Sequence, residues 1–241
     1  MIELVHLHKS YNGRVKAVDD LTLTIPPGQI VGFLGPNGAG KTTTLKMLTG
    51  ILNPDSGEIR VNDLDLRRET IRVKEQIGFI PDSPDMFLRL TGLEYLRFMA
   101  DLYHVAAAER KQRIATYVGQ FEMGEVLGNK IQSYSHGMRQ KIVLIGALLH
   151  DPAVWVLDEP LTGLDPKSSF LLKEILRQEA GQGKTVFFST HVLDVAERLC
   201  DRVAIIHKGK LLFDGTIAGM RDHFKANESL EKMFLEMTDD E

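Results

Sequence analysis

Hydrophobic and polar positions follow two periods along this chain, and the periods take turns. "IELVHL" (2–7) and "LTLTI" (21–25) are short and β-rich, and the second sets Leu and Ile against Thr at alternate residues, as a half-buried strand does. "IVGFLG" (30–35) is apolar without a break, which suits a strand covered on both faces. The pattern of "KTTTLKMLTGIL" (41–52) predicts a helix, "NPDSG" a turn, "EIRV" (58–61) a strand, "RRETIRVKEQ" (67–76) a helix and "IGFI" (77–80) another buried strand.

From about residue 87 to 149 the strand period vanishes. Thr91 and Glu94 have capping-box spacing ahead of "YLRFMADLYHV" (95–105), "AAAERKQRIATYVGQF" (106–121) is amphipathic, and "MRQKIVLIGALLH" (138–150) is the most apolar helical stretch. The alternation then resumes. "AVWVLD" (153–158) and "TVFFST" (185–190) predict buried strands, and Asp165-Pro166 opens a helix with a capping residue and a proline at its first position. "VLDVAERLC" (192–200) is a helix, and "RVAIIHKGKLLFDG" (202–215) two strands joined at Lys208-Gly209. Strands alternating with helices imply a mostly parallel sheet covered on both faces, with ligands at the carboxyl ends of its strands.

The 241 residues, 43% of them hydrophobic, are enough for one large domain or a core with a subdomain. The net charge of -4, with acids and bases well mixed, excludes a nucleic-acid partner. The lone cysteine, Cys200, excludes an internal disulfide and reads as a small buried hydrophobe near a helix end. The N-terminus lacks the apolar run of a signal peptide, and no stretch reaches the ~18 apolar residues of a membrane span, so a soluble protein able to dock on a membrane protein is expected.

The chemistry begins at Gly35-Pro36-Asn37-Gly38-Ala39-Gly40-Lys41-Thr42, a complete phosphate-binding loop set between a predicted strand and a predicted helix. Its glycines let backbone N–H groups close around phosphate oxygens, Lys41 adds a charge for the β- and γ-phosphates, the Thr42 hydroxyl suits Mg²⁺, and Thr43 suits the α-phosphate region. Asp158 and Glu159 end an apolar strand. Unpaired acids there are costly, and a metal held by Asp158 with Glu159 activating a water explains them. His191 follows the next buried strand, where it caps a helix or reaches a γ-phosphate. Tyr11, in the turn "SYNG", is a surface tyrosine or a platform for adenine. "YSHGMRQ" (134–140) presents a second anion-ready helix start, a serine and a glycine at free N–H groups, about a hundred residues from the first.

Together these pieces resemble the nucleotide-binding subunit of ABC (ATP-binding cassette) transporters over nearly the whole chain: A-loop Tyr11, Walker A Gly35 to Thr42, signature Tyr134 to Met138, Walker B Val154 to Asp158, catalytic Glu159, D-loop Leu164 and Asp165, switch His191, in family order. "STHVLDVAERLCDRVAIIHKGKLLFDGT" and "SLEKMFLEMT" look most like the branch that exports drugs, peptides or sodium; an importer subunit or a soluble ABC ATPase acting on a macromolecule is the alternative. The resemblance implies an α/β fold. It has a P-loop NTPase core with a mostly parallel sheet and an N-terminal antiparallel β subdomain (1–86 and 150–241), and an inserted helical subdomain (87–149) carrying the signature. It implies an ATPase using ATP and Mg²⁺, paired with an identical or related cassette. Ser135, Gly137, Met138 and Asp165 then serve the partner's ATP, so the second helix start would hold the partner's phosphate. A separate membrane permease would hold the chain at the cytoplasmic face of the membrane. Two motifs depart from the family's usual pattern. The signature is usually Leu-Ser-Gly-Gly-Gln, and His136 and Met138 replace its Gly and Gln. Asp82 stands where a Gln is usual in the Q-loop, facing the metal directly or through water.

Overall fold

The computed structural model describes residues 1–12, 15–224 and 230–238. Near the N-terminus β1 (Ile2–Tyr11) pairs antiparallel with β2 (Val15–Ile25) on one side and β4 (Ser56–Val61) on the other, and β5 (Leu64–Asp65) adds to β4. Leu21, Leu23 and Ile25 point into the core while Thr22 and Thr24 face out, as the period-2 pattern requires. Both long strands bend at bulges, with His6 and Asp20 in the left-handed region at φ 48° and 60°.

The second sheet runs β10-β9-β3-β8-β7-β6. Strands β3 (Ile30–Leu34), β6 (Ile77–Ile80), β7 (Val154–Asp158), β8 (Thr185–Thr190) and β9 (Arg202–His207) are parallel, and β10 (Lys210–Thr216) closes one edge antiparallel to β9. Parallel neighbours need crossovers, and the helices supply them: α1 (Lys41–Leu48), α2 (Thr70–Gln76), α3 (Gly92–Leu102), α4 (Ala107–Gln120), α5 (His136–Leu148), α6 (Pro166–Gly181) and α7 (Leu193–Leu199). At the C-terminal end α8 (Ile217–Phe224) and α9 (Leu230–Thr238) follow β10.

Strand β7 shows why its sequence is apolar throughout. Val154 and Val156 pack with Phe33, Phe187 and the α1 residues Leu45 and Leu48, while Trp155 and Leu157 pack with Tyr95, Leu144 and Leu172 on the opposite face. Trp155 Nε1 donates to Glu179 Oε2 at 3.0 Å, and Lys184 Nζ donates to the same oxygen at 2.6 Å, so the buried carboxylate is paired and hydrogen-bonded. A third cluster joins Leu34, Val203 and Ile205 to Ala196, Met220 and Met233 of α7, α8 and α9.

Between β6 and β7 the chain forms helices and turns, apart from one isolated bridge between Thr91 and Lys130. The capping box at Thr91 forms in full, the Glu94 carboxylate accepting from Thr91 N at 2.7 Å. Asp165 caps α6, with Pro166 in its first turn. Cys200 ends α7 with its thiol buried and its pKa pushed up by that burial.

Some boundaries differ from the pattern. Helix α1 stops at Leu48, because Gly50 turns left-handed (φ 65°) and Ile51 N folds back to Lys46 O. Helix α2 starts at Thr70, since Asp65 Oδ1 accepts from Arg67 N and Arg68 N and holds those residues in a turn. Strands β1 and β2 run longer than their alternation, which the bulges interrupt, and β5 was not legible.

Candidate functional site

The carboxyl edge of the second sheet opens into a cleft of about 270 Å³. The loop after β3 forms its floor. Gly38 and Gly40 take φ 81° and 113°, and a Cβ on Gly40 would collide with Ala17 O, so a side chain cannot replace the hydrogen there. Gly40 is the N-cap of α1 and supplies no side-chain cap, leaving the first N–H groups of the helix to the cleft that Lys41, Thr42 and Thr43 line. Ala39 is buried under the loop, and its carbonyl accepts from Gly209 N at 2.9 Å.

Lys41 is buried, with Nζ donating to Gly35 O at 2.6 Å and Pro36 O at 3.2 Å and lying 4.0 Å from Glu159 Oε1. Burial pushes its pKa down, and the carboxylates of Glu159, Asp158 and Asp82 pull it back up. Asp158 is 2% exposed, and its Oδ1 accepts from Ser189 Oγ at 2.5 Å. The same Ser189 oxygen accepts from Glu159 N at 3.1 Å. Glu159 holds φ 48°, a conformation a non-glycine residue adopts only when its surroundings impose it, and Glu159 Oε1 lies 2.9 Å from His191 Nδ1.

The cleft thus gathers Pro36, Asn37, Gly38, Gly40, Lys41, Thr42, Thr43, Asp82, Glu159 and His191 from four different strand ends. Asp158 sits behind Glu159, Gly35 beneath the loop against Ile206 O, and Tyr11 at the end of β1, 44% exposed and outside the cleft lining. Three members escaped sequence reasoning. Ala17 and Thr162 also line the cleft, and Ser189 orders both acids. The only available signal for Ser189 was its place one residue before the end of "FFST", which the parallel register sets opposite Asp158.

The second helix start lies apart from this cleft. Ser135 caps α5, its Oγ accepting from Met138 N at 3.3 Å, and the buried Tyr134 hydroxyl donates to Val126 O at 2.7 Å. Ser135 is exposed, and Gly137 and Met138 are half-buried. Asp165 is engaged within its own chain, accepting from Ser168 N at 2.9 Å and Ser168 Oγ at 2.8 Å and pairing with Lys141 at 2.6 Å.

A phosphate loop after β3, an open helix start, a buried lysine and acids at the end of β7, two strands away, have the make-up of a nucleoside-triphosphate site. The Thr42 hydroxyl and the Asp158 and Asp82 carboxylates are hard oxygen donors, the kind that suits Mg²⁺; Thr42 and Asp82 line the cleft, and Asp158 is buried behind Glu159. Residues 18–162 match the ABC transporter family. The ABC transporter ATP-binding protein NatA of Bacillus subtilis is 37% identical over 222 residues, 92% of this chain and 90% of that protein. The daunorubicin/doxorubicin resistance ATP-binding protein DrrA of Streptomyces peucetius is 37% identical over 94% of this chain and 68% of its own length. A solved structure of an ATP-binding subunit of an ABC transporter superposes with a TM-score of 0.94 at 32% identity, covering 99% of this chain and all of the other. The chain belongs to the ABC transporter family, as the subunit that binds and hydrolyses ATP. Subunits of this family work in pairs with membrane-spanning permeases on the cytoplasmic side. No helix among the described residues is long and apolar enough to cross a membrane.

Proposed function

We propose that the chain drives an exporter by closing with a second cassette, identical or related, around two ATP molecules and pressing on a separate permease. One observation carries the reading. Lys41, Thr42, Asp82, Glu159 and His191 line one cleft, while the anion-ready start of α5, with exposed Ser135 and half-buried Gly137, lies outside it. A helix start that offers N–H groups and a hydroxyl to solvent suits the phosphate of a facing subunit.

In this reading Gly35 to Gly40 wrap the phosphates, Lys41 bears on the β- and γ-phosphates, Thr43 reaches the α-phosphate region, and Tyr11 stacks on adenine. Thr42 and Asp158 would hold Mg²⁺, with Asp82 facing it through a water, and the metal would supply charge neutralisation at the phosphates. Glu159 takes the proton of the attacking water, and His191, bonded to it at 2.9 Å, orients the base and faces the γ-phosphate. Ser135, Gly137 and Met138 close over the partner's ATP, with Asp165 beside them.

The permease-facing surface is proposed around the Asp82 loop. Met86, Phe87, Phe98 and Leu102 are exposed apolar side chains, and the Phe87 ring lies 5.3 Å from Phe98 and 5.4 Å from Tyr95. Arg139 pairs with Asp85 of this loop at 2.6 Å and donates to Gln132 O at 2.9 Å, which joins the surface to the signature helix. Export is the direction that the name of DrrA, a drug-resistance protein, supports.

The test is the Glu159→Gln variant, which keeps the side chain's shape and loses the base. ATP then binds without being consumed. Size-exclusion chromatography is expected to show a shift from monomer to dimer with ATP and none with ADP. A monomer in both, with and without the permease, would overturn the composite-site reading.

A further inference from the structure

We propose that His136 is a positioning residue that couples the two half-sites of one chain, bearing on the loop that carries Glu159 so that a phosphate engaged at Ser135 is felt at this chain's own base. The proposal rests on the composite-site reading above and adds a residue to it.

His136 is the first residue of α5, directly after its cap Ser135, and is exposed. Its ring lies on Gly163. A Cβ built on Gly163 would collide with His136 Cδ2 and come within 2.9 Å of Nε2. Gly137 approaches the same residue from its backbone, since a Cβ there would lie 2.6 Å from Gly163 O. One turn further on, Lys141 pairs with Asp165 at 2.6 Å. The first two turns of α5 therefore grip residues 163–165 through a ring, a backbone contact and an ion pair.

The gripped loop leads straight to the cleft. Thr162 N donates to Glu159 O at 3.1 Å and Leu164 N to Leu161 O at 3.4 Å, so residues 159–164 form two overlapping turns. Glu159 and Thr162 both line the nucleotide cleft. The arch has a left-handed residue near each end, Glu159 at φ 48° and Gly163 at φ 78°. Gly163 takes that conformation freely, whereas Glu159 takes it at a cost, so the surroundings hold it there. A short arch of this kind has little slack. On the other side, Ile142 to Leu148 of α5 are buried, so the helix moves as a body. A displacement of the helix start is passed to Gly163 by the His136 ring, and from there to Thr162 and Glu159. The glycine usual at position 136 in the family has no side chain for this contact.

Steady-state ATP hydrolysis by the full chain, fitted for kcat, KM and Hill coefficient, tests the proposal beside ATP binding to the monomer. His136→Gly is expected to lower kcat by about 2- to 30-fold, the range of measured couplings between sites, and to move the Hill coefficient toward one. Monomer affinity for ATP should stay unchanged. His136→Phe keeps a flat ring over Gly163 and should restore most of both. Gly163→Ala should damage the wild-type chain more than it damages the His136→Gly chain, because part of its cost is collision with the ring. Wild-type kcat and cooperativity in His136→Gly would overturn the proposal, as would an equal loss of monomer ATP binding, or losses that simply multiply in the double variant. Dimerisation of Glu159→Gln with ATP is run in parallel. If it fails, the composite-site reading falls and takes this inference with it. If it succeeds while His136→Gly behaves as wild type, only the inference falls.

Discussion

Asp82 places a carboxylate in the cleft where the resemblance leads one to expect the longer, neutral glutamine, and it acts on Lys41 through the field between them. Its side chain is a methylene shorter, so it trades reach for charge. It stands on the loop that also holds Asp85 and the exposed Met86 and Phe87, which ties it to the proposed permease surface. Asp82→Ala is therefore expected to cut the stimulation of ATPase activity by the permease by roughly fivefold, the low end of typical coupling between sites. The basal rate of the free cassette should fall less, because Asp82 faces the metal through a water while Thr42 and Asp158 stay in place. Rates measured in both states in nanodiscs check this, and an equal loss in both would make Asp82 a direct metal ligand or a catalytic residue rather than a coupling one. At this scale the sequence was most informative where spacing constrains chemistry. Lys41, Thr42, Glu159 and His191 were legible because each sits at a fixed offset from a buried strand. Ser189 was not, because a serine near a strand end is ordinary, and its bond to Asp158 arises from a parallel register that no local pattern encodes.

Helix starts show the same division among the elements. The Thr91 box and the Asp165-Pro166 start were legible because capping depends on residues three apart. The end of α1, the late start of α2 and the full lengths of β1 and β2 were not. Gly50, Asp65 and the bulges at His6 and Asp20 act there through backbone conformation, which overrides periodicity. Asp165 offers a test at this level. The Lys141 ammonium first, then the Ser168 N–H and hydroxyl, hold its carboxyl well below the usual carboxylate range. A depressed folded pKa means the contribution is complete above the unfolded value of about 4 and is lost as the pH falls below it. Asp165→Ala should cost about 1 kcal/mol through the lost cap, since the exposed ion pair adds little. That corresponds to roughly 2–4 °C in Tm for a chain of this size. Asp165→Asn keeps an oxygen for Ser168 N–H, so it should cost less at pH 7, and its deficit against the wild type should shrink below about pH 4. Thermal melts from pH 7 to pH 3 check the sign. A deficit that grows with acid would mean that the carboxylate does not stabilise the fold.

Two helix starts of the chain, those of α1 and α5, suit an anion, and of these two the first opens into the chain's own cleft. The starts of α1 and α5 are fixed by separate parts of the fold, the carboxyl edge of the sheet and the helices between β6 and β7. If the second start serves a partner's ATP, damage there should abolish pairing and spare nucleotide binding. Ser135→Arg and Ser135→Asp in the Glu159→Gln background separate the possible causes. Arginine fills the space beside the helix start and removes the cap, at about 1 kcal/mol. Aspartate keeps an oxygen for Met138 N–H and sets a negative charge against the phosphate. Both double variants are expected to remain monomeric with ATP by size-exclusion chromatography. Both should bind ATP as tightly as Glu159→Gln alone by equilibrium dialysis, because the loop from Gly35 to Thr42 is untouched. The aspartate variant should also keep its Tm, which separates loss of pairing from loss of the helix. A dimer with ATP in both double variants would mean that the turn from Tyr134 to Met138 does not hold a partner's phosphate.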